Sequence, residues 1–312
     1  MDEKEVAFLC ELSHQMIQVA ILSKSGGGYS TRRLLEEAEI LGLYAEQIDH
    51  SLCSVRLSSD GSELFLREES ISGEFQAVIP RIGSGVTRHG AAIVKQFEIE
   101  GAFSVARSLG IIRARNKVRT MQLFAKEGLP IPETLFSINP ESLSAQIELL
   151  GGPPVIIKMQ EGTHGTGVIL AESLASAKSM CDTLYRLGTP ILLQRYIEEA
   201  KGEDIRVIVV DQQVVASMKR KGALGEFRAN IHRGGLGEAV QLTKKEKAIA
   251  LQATKLLGLG VAGVDLIRSK NGPLLIEVNA SPGLQGIESA TGVNVAKAIM
   301  EYALRGSGRK RR

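Results

Sequence analysis

Residues 274–283 read LLIEVNASPG, and two side chains in that run are hard to place in an apolar core. Side chains alternate along a strand, so Glu277 and Asn279 share one face while Ile276 and Val278 take the other. Burying a carboxylate and an amide among leucines and isoleucines costs desolvation free energy unless a partner satisfies them. The run GVDLIR (263–268) sets Asp265 in a second apolar strand, and the intervening SKNG reads as the turn of a hairpin. The chain is thereby constrained to a sheet with one polar, ligand-facing patch. Asp265, Glu277 and Asn279 offer only oxygen, a donor set suited to a hard, phosphate-bound cation such as Mg2+. The alternative is a strand-end Asx turn with surface carboxylates.

Positive charge comes from other segments. Residues 157–168, IKMQEGTHGTGV, form a glycine-rich loop with no lysine after its last glycine, and G-x-x-x-x-G-K-[ST] occurs nowhere in the chain. Lys158 ends the apolar run PVIIK just before the loop, and Lys117 opens a helix in ARNKVR. A lysine on an adjoining strand can neutralise a phosphate whose oxygens are cradled by the backbone N–H groups of Gly162 to Gly167. A third group is Asp204 and Arg206 in GEDIRVIVV, Arg228 and Asn230 in FRAN, and Arg233 in HRGG. Arginines at the edges of β elements clamp carboxylates and phosphoryl oxygens, although arginines in such loops are also commonly solvated.

Period changes along the chain predict an α/β protein. A strand over 17–23, the exit loop SGGG (25–28), a helix over 31–42, an apolar strand in 75–83 and a following helix make a small βαβ-type domain ending near Gly110. Residues 44–57 read as a second strand and loop. A linker then leads to a helix over 116–128, an extended stretch over 130–136, the strands PVIIK and VIL, and a helix from Ser173 to Leu187. The runs 205–210 and 214–220 predict a hairpin, followed by a helix over 244–258, the strand pair carrying Asp265 and Glu277, and a last helix over 292–304. The expected units are 1–112, 113–188 and 189–304, with a basic tail at 305–312. GLGVAG (258–263) matches the dinucleotide fingerprint, yet it follows a helix and precedes a strand, so it reads as a helix C-cap.

The formal charge of +3 is misleading, because the tail RGSGRKRR carries five positive charges and leaves the body at −2. The body is therefore no nucleic-acid binder, whereas the tail is either a solubilising end or an arm for RNA or an acidic partner. Three cysteines without metal spacing and five scattered histidines predict reduced thiols in a cytoplasmic protein without zinc. No apolar run reaches the roughly 20 residues that span a bilayer.

The order of PVIIK and its glycine loop, LLQRYI, GEDIR, FRANIHRGG, VAGVDLIR and EVNASPG resembles the ATP-grasp fold. PRIG, ARNK, EGTHGTGV and EVNASPGLQGIE are similar to the RimK branch, glutamate ligases that extend the C-terminus of ribosomal protein six of the small subunit. The resemblance implies an ATP-grasp fold of α+β subdomains preceded by a small Rossmann-like pre-ATP-grasp domain. It also implies an ATP-dependent carboxylate–amine ligase working through an acylphosphate. Lys117, Lys158 and the glycines Gly162, Gly165 and Gly167 then contact phosphates, and the backbone of Gln194, Arg195, Tyr196 and Ile197 meets adenine. Asp204 contacts the nucleotide, Arg228, Ala229 and Asn230 lie beside the phosphates, and Asp265, Glu277 and Asn279 hold two Mg2+ or Mn2+ ions. Lys158, Arg206 and Arg228 stabilise developing charge, and Arg81 and Arg88 are near enough to help hold an acidic substrate. The implied partners are L-glutamate, the C-terminal tail of a ribosomal protein, ribosomal RNA for the basic tail, no membrane, and further copies of the chain in a homo-oligomer such as a tetramer. His164, Thr166 and Arg195 depart from residues common in that branch. A related ligase acting on a small acid, a cofactor or a carrier protein would share the same site.

Overall fold

The computed structural model describes residues 16–24, 26, 28–138, 140–160, 167–200, 202–222, 227 and 236–308. It opens with β1 (Gln18–Leu22), α1 (Tyr29–Ile40) and β2 (Tyr44–Ile48). β3 (Cys53–Ser58), β4 (Gly61–Leu66) and β5 (Glu69–Ser70) follow as a separate antiparallel sheet. The sequence predicts a loop up to residue 57 and no element over 58–74, because short strands whose polar side chains face water carry a weak apolar signal. β6 (Ala77–Pro80), α2 (Thr87–Ile99) and β7 (Phe103–Ser104) complete a parallel sheet of order β2-β1-β6-β7. Val19 to Leu22 have no exposed surface, as expected of a central parallel strand covered on both faces.

In place of the expected linker, the chain forms α3 (Ser108–Arg115), followed by α4 (Lys117–Lys126). Asn116 starts α4 by accepting a hydrogen bond from Arg119 N at 3.0 Å. Gly110 seats α3 against the C-terminal half of the chain: a Cβ there would lie 3.0 Å from Leu257 O and 2.8 Å from Leu259 Cδ2. Backbone cannot yield as a flexible side chain does, so Gly110→Ala is expected to cost about 1–3 kcal/mol. A melting curve checks this as a lowered Tm, and an unchanged Tm would show that the two halves part readily at this contact.

The next unit contains β8 (Thr134–Ser137), α5 (Leu143–Leu149), β9 (Val155–Met159), β10 (Val168–Ala171), α6 (Leu174–Arg186) and β11 (Ile191–Arg195). Its sheet is antiparallel, of order β10-β9-β11-β8, so β11 pairs with strands that precede residue 188. Leu143, Ile147, Val155, Ile157, Cys181 and Leu193 give this sheet and its two helices their own small core.

The last unit is β12 (Glu203–Val210), β13 (Gln213–Lys221), β14 (Leu236–Ala239), α7 (Lys244–Leu257), β15 (Val261–Ser269), β16 (Gly272–Asn279), α8 (Gln285–Thr291) and α9 (Val295–Ser307). The sheet order is β14-β13-β12-β15-β16, antiparallel throughout. Asp211 and Gln212 close the β12–β13 hairpin with φ of 49° and 59°, the paired positive values of a tight primed turn. Gly258 ends α7 at φ 75°, so GLGVAG is indeed a left-handed helix cap running into a strand. α9 packs across α1, and Val19 and Ile21 share a core with Ile299, Met300 and Ala303, which joins the first sheet to the last. Among the described residues no helix is long and apolar enough to cross a membrane, and Cys53 and Cys181 are free, buried thiols.

Candidate active site

A cavity of about 1120 Å³ lies where the parallel sheet and the two larger antiparallel sheets converge. β9 contributes Lys158: Val155 and Ile157 turn into the small core, so alternation sends Ile156 and Lys158 to the cavity. Only 9% of Lys158 is exposed, and among the described residues its ammonium has no hydrogen-bond or ion-pair partner. Burial pulls its pKa down to about 8, Glu277 and Asp265 draw it back up, and Lys117 adds to the depression. A buried, unpaired ammonium is a site that an anion stabilises. Lys117, the first residue of α4, lines the same cavity.

β11 supplies the neighbouring wall. Gln194 is buried and donates to Thr134 Oγ1 at 2.8 Å, while the Arg195 side chain pairs with Glu133 at 3.1 Å, largely in solvent. Past the end of the strand, Tyr196 and Ile197 line the cavity beside Ile156, Leu192 and Met218. Apolar side chains with a few backbone groups alongside suit a planar heterocycle.

Opposite, cross-strand register builds a chain of alternating charge. β12 pairs with β15 so that Arg206 faces Asp265, and with β13 so that Asp204 faces Arg220. Arg206 forks onto Asp265, its Nε on Oδ1 and its Nη2 2.7 Å from Oδ2. Arg220 donates to Asp204 at 2.6 and 2.5 Å and also reaches Asp265 Oδ2 at 3.1 Å. Burial by itself would raise the Asp265 carboxyl, but Arg206 and Arg220 outweigh it and hold the group below its ordinary range. Among the described residues Asp204 has only Arg220 at close quarters, so burial, with Asp265 adding to it, wins there and its pKa goes up. Sequence reasoning missed Arg220, although a signal was present. Met218 is buried in SMKRK, so Arg220, two residues on, points the same way.

Glu277 faces Asp265 directly across β15 and β16, and Asn279 faces Gly263. The register shifts between Asp265 and Leu266, leaving Ile276 as an extra residue on β16. Ile276 therefore lines the cavity instead of turning into the core as strict alternation predicted. Among the described residues no three His, Cys, Asp or Glu side chains cluster as a metal site. The oxygens of Asp265, Glu277 and Asn279 nevertheless line one cavity, and two carboxylates with an amide fit a hydrated Mg2+ or Mn2+. Among the described residues Glu277 has no ion-pair partner.

Of the expected residues that the structure describes, Gly167 and Arg88 do not line the cavity. Gly167 sits at the foot of the loop with φ 79°, where a Cβ would lie 2.7 Å from Met159 Sδ, and its carbonyl accepts from Met159 N at 2.8 Å. It closes the β9–β10 connection. Gly162, His164, Gly165, Thr166, Arg228, Ala229, Asn230, Arg233 and the tail residues 309–312 lie outside the described residues. Arg81 lines the cavity, whereas Arg88 is exposed on α2 and does not.

The model of the RimK PreATP-grasp domain matches residues 17–111, and that of the RimK-like ATP-grasp domain matches residues 114–303. The chain is 44% identical over 295 residues, 95% of its own length and 98% of the relative's, to a "Probable alpha-L-glutamate ligase" of Vibrio cholerae. A protein of the same name from Marinobacter nauticus is 46% identical over 286 residues, 92% of this chain and 95% of the relative. Among solved structures, the ATP-grasp ligase PsnB in complex with a minimal precursor, Mg and ADP shares the fold at TM-score 0.73 and 19% identity, over 94% of this chain and 98% of that one. A RimK domain protein from Sphaerobacter thermophilus does so at TM-score 0.71 and 21% identity, over 91% and 98%. Matches that run through both halves of the chain, around a cavity with phosphate-type and hard-cation chemistry, lead to one assignment: the chain belongs to the RimK-like ATP-grasp family and is an ATP-dependent carboxylate–amine ligase.

Proposed function

We propose that this ligase joins the amine of L-glutamate to a carboxylate of a peptide or small-molecule acceptor, using ATP with Mg2+ or Mn2+. The observation that carries the reading is the buried Lys158 ammonium, without a partner among the described residues, in the same cavity as the oxygens of Asp265, Glu277 and Asn279. The name shared by the relatives supports glutamate, and the PsnB complex with Mg and ADP supports the nucleotide and the metal.

The adenine lies against Gln194, Arg195, Tyr196 and Ile197, with Asp204 toward the sugar. Lys117 and Lys158 hold the phosphates, and Gly162, Gly165, Arg228, Ala229 and Asn230 are assigned to the same region. An oxygen of the acceptor carboxylate attacks the γ-phosphorus, the bond to the bridging oxygen of ADP breaks, and Lys158, Arg206 and Arg228 stabilise the charge that shifts onto the leaving oxygen. The glutamate amine then attacks the acyl carbon, loses a proton, and expels inorganic phosphate. Asp265, Glu277 and Asn279 would hold the metal, which when bound neutralises phosphate charge and polarises the transferring group. Catalysis is thus mainly orientation and electrostatics within a cavity that excludes water from the acylphosphate.

ADP release with ATP, Mg2+, L-glutamate and a panel of acceptors tests this reading. The panel includes peptides ending in acidic residues, small dicarboxylic acids, and a small-subunit ribosomal protein with its C-terminal tail. Mass analysis of the product shows whether glutamate is added once or as a ladder. Absence of acceptor-stimulated ADP release across the panel would refute it.

The depressed Lys158 pKa gives a pH signature. Phosphate binding needs the ammonium form, so kcat/KM for ATP is expected to fall about tenfold per unit as pH rises through about 8. Lys158→Arg stays charged and should lose that alkaline limb in a steady-state pH profile. The sign for stability is opposite. The folded pKa lies below the ordinary 10.5, so the unfolded chain binds more protons between about 8 and 10.5, and the burial penalty of Lys158 is relieved as pH rises through that window.

A further inference from the structure

Phosphate and metal leave two guanidiniums of the cavity wall unexplained, Arg81 and Arg115. Arg81 stands at the edge of the first sheet, where strand order reverses between β1 and β6, and ligands of open α/β sheets sit outside the carboxyl ends of strands at such a switch point. Ser23 and Arg81 directly follow β1 and β6, Arg81 N donates to Leu22 O at 2.8 Å, and both residues line the cavity. Gly28, the uncapped start of α1, faces the same crevice.

The charge there is not balanced. Arg81 Nη1 donates to Pro282 O at 2.7 Å, and Arg115 Nη2 donates to Ile82 O at 2.8 Å. These carbonyls aim the two side chains without neutralising them, and each guanidinium keeps donors in reserve. Among the described residues neither has a carboxylate at ion-pair distance, in contrast to Arg33, Arg206, Arg220 and Arg268. Burial draws Arg81 down to about 10 and lowers Arg115 as well, with Glu277 opposing it at Arg115. The frame around them is tied together. Tyr29 Oη donates to Glu288 at 2.9 Å, Glu288 also accepts from Ala296 N at 3.0 Å, and Leu284 N donates to Ser30 Oγ at 3.0 Å.

Resting on the ligase reading, we infer that Arg81 and Arg115 bind the two carboxylates of the incoming L-glutamate, which makes the switch-point crevice the amino-acid subsite. The acceptor carboxylate is a poorer match. It gives up its charge in the amide product. Both carboxylates of L-glutamate pass through the reaction unchanged, and permanent, oriented guanidinium forks suit groups whose charge does not alter. The same pair rejects L-glutamine, because an amide would leave a desolvated guanidinium unneutralised.

Calorimetric titration of L-glutamate and L-glutamine into the protein holding Mg2+ and a non-hydrolysable ATP analogue tests the assignment. The wild type should bind L-glutamate at least about tenfold more tightly than L-glutamine. Arg81→Gln and Arg115→Gln should each weaken L-glutamate by about 100-fold, with the affinity for the analogue unchanged. Arg81→Lys and Arg115→Lys, which keep charge but lose the fork, should fall between, and Arg56→Gln, on the exposed strand β3 and away from the cavity, should bind as wild type does. Undiminished L-glutamate binding in arginine variants that still take up the analogue would overturn the subsite, as would a wild type indifferent between acid and amide. Acceptor-stimulated ADP release is read separately, so a failed subsite and a failed ligase reading give different results.

Discussion

Glu277→Gln is expected to lower metal-dependent turnover by about a thousandfold or more while leaving the melting temperature where it was. Glu277 is half-buried on the cavity wall and, among the described residues, without an ion-pair partner, so the isosteric amide breaks no salt bridge. What it removes is the one carboxylate in the set that is not already matched by arginine, since Asp265 is shared by Arg206 and Arg220. A lost metal clamp forfeits several kcal/mol of transition-state stabilisation, which sets the size of the effect. ADP release measured against Mg2+ concentration checks it, and wild-type turnover would place the metal elsewhere.

Arg220→Met should instead act on the fold, by about 3–5 kcal/mol. The side chains of Arg220, Asp204 and Asp265 are 11%, 19% and 8% exposed, so water screens little of their interaction. Removing the shared guanidinium leaves Asp204 unpaired and Asp265 with Arg206 alone among the described residues. Both carboxyls in the variant then titrate higher than in the wild type, so the deficit should shrink as pH falls and they protonate. Urea unfolding at neutral and mildly acidic pH measures this. A loss that does not depend on pH would mean that packing of the arginine stem, and not charge, holds the strands. Arg220→Lys should recover only part of the loss, because a point charge cannot fork onto two carboxylates.

These two residues also show what the chain disclosed before its fold was in view. Glu277 stood out because an acid in LLIEVN violates the apolar pattern of its own strand, a local contradiction visible in ten letters. Arg220 did not, because SMKRK looks like a solvated strand end until Met218 is known to be buried. Ile276 was misplaced for a related reason: strict alternation cannot foresee a bulge, which depends on the partner strand. The hairpins and most long helices were legible from period and turn chemistry, whereas α3 hid in a stretch read as linker, β3 in one read as loop, and β4 and β5 in a polar stretch with no predicted element. Arg81 was suspected only from resemblance. Its place at the switch point follows from strand order, which no local pattern encodes.

Oxygen tracing tests the acylphosphate directly. With an acceptor from the panel carrying 18O in its reacting carboxylate, ATP, Mg2+ and L-glutamate, the account predicts one labelled oxygen in inorganic phosphate for each amide formed, with ADP as the other product. Labelled oxygen released as water, or recovered in AMP, would contradict transfer of the γ-phosphoryl group to the acceptor carboxylate.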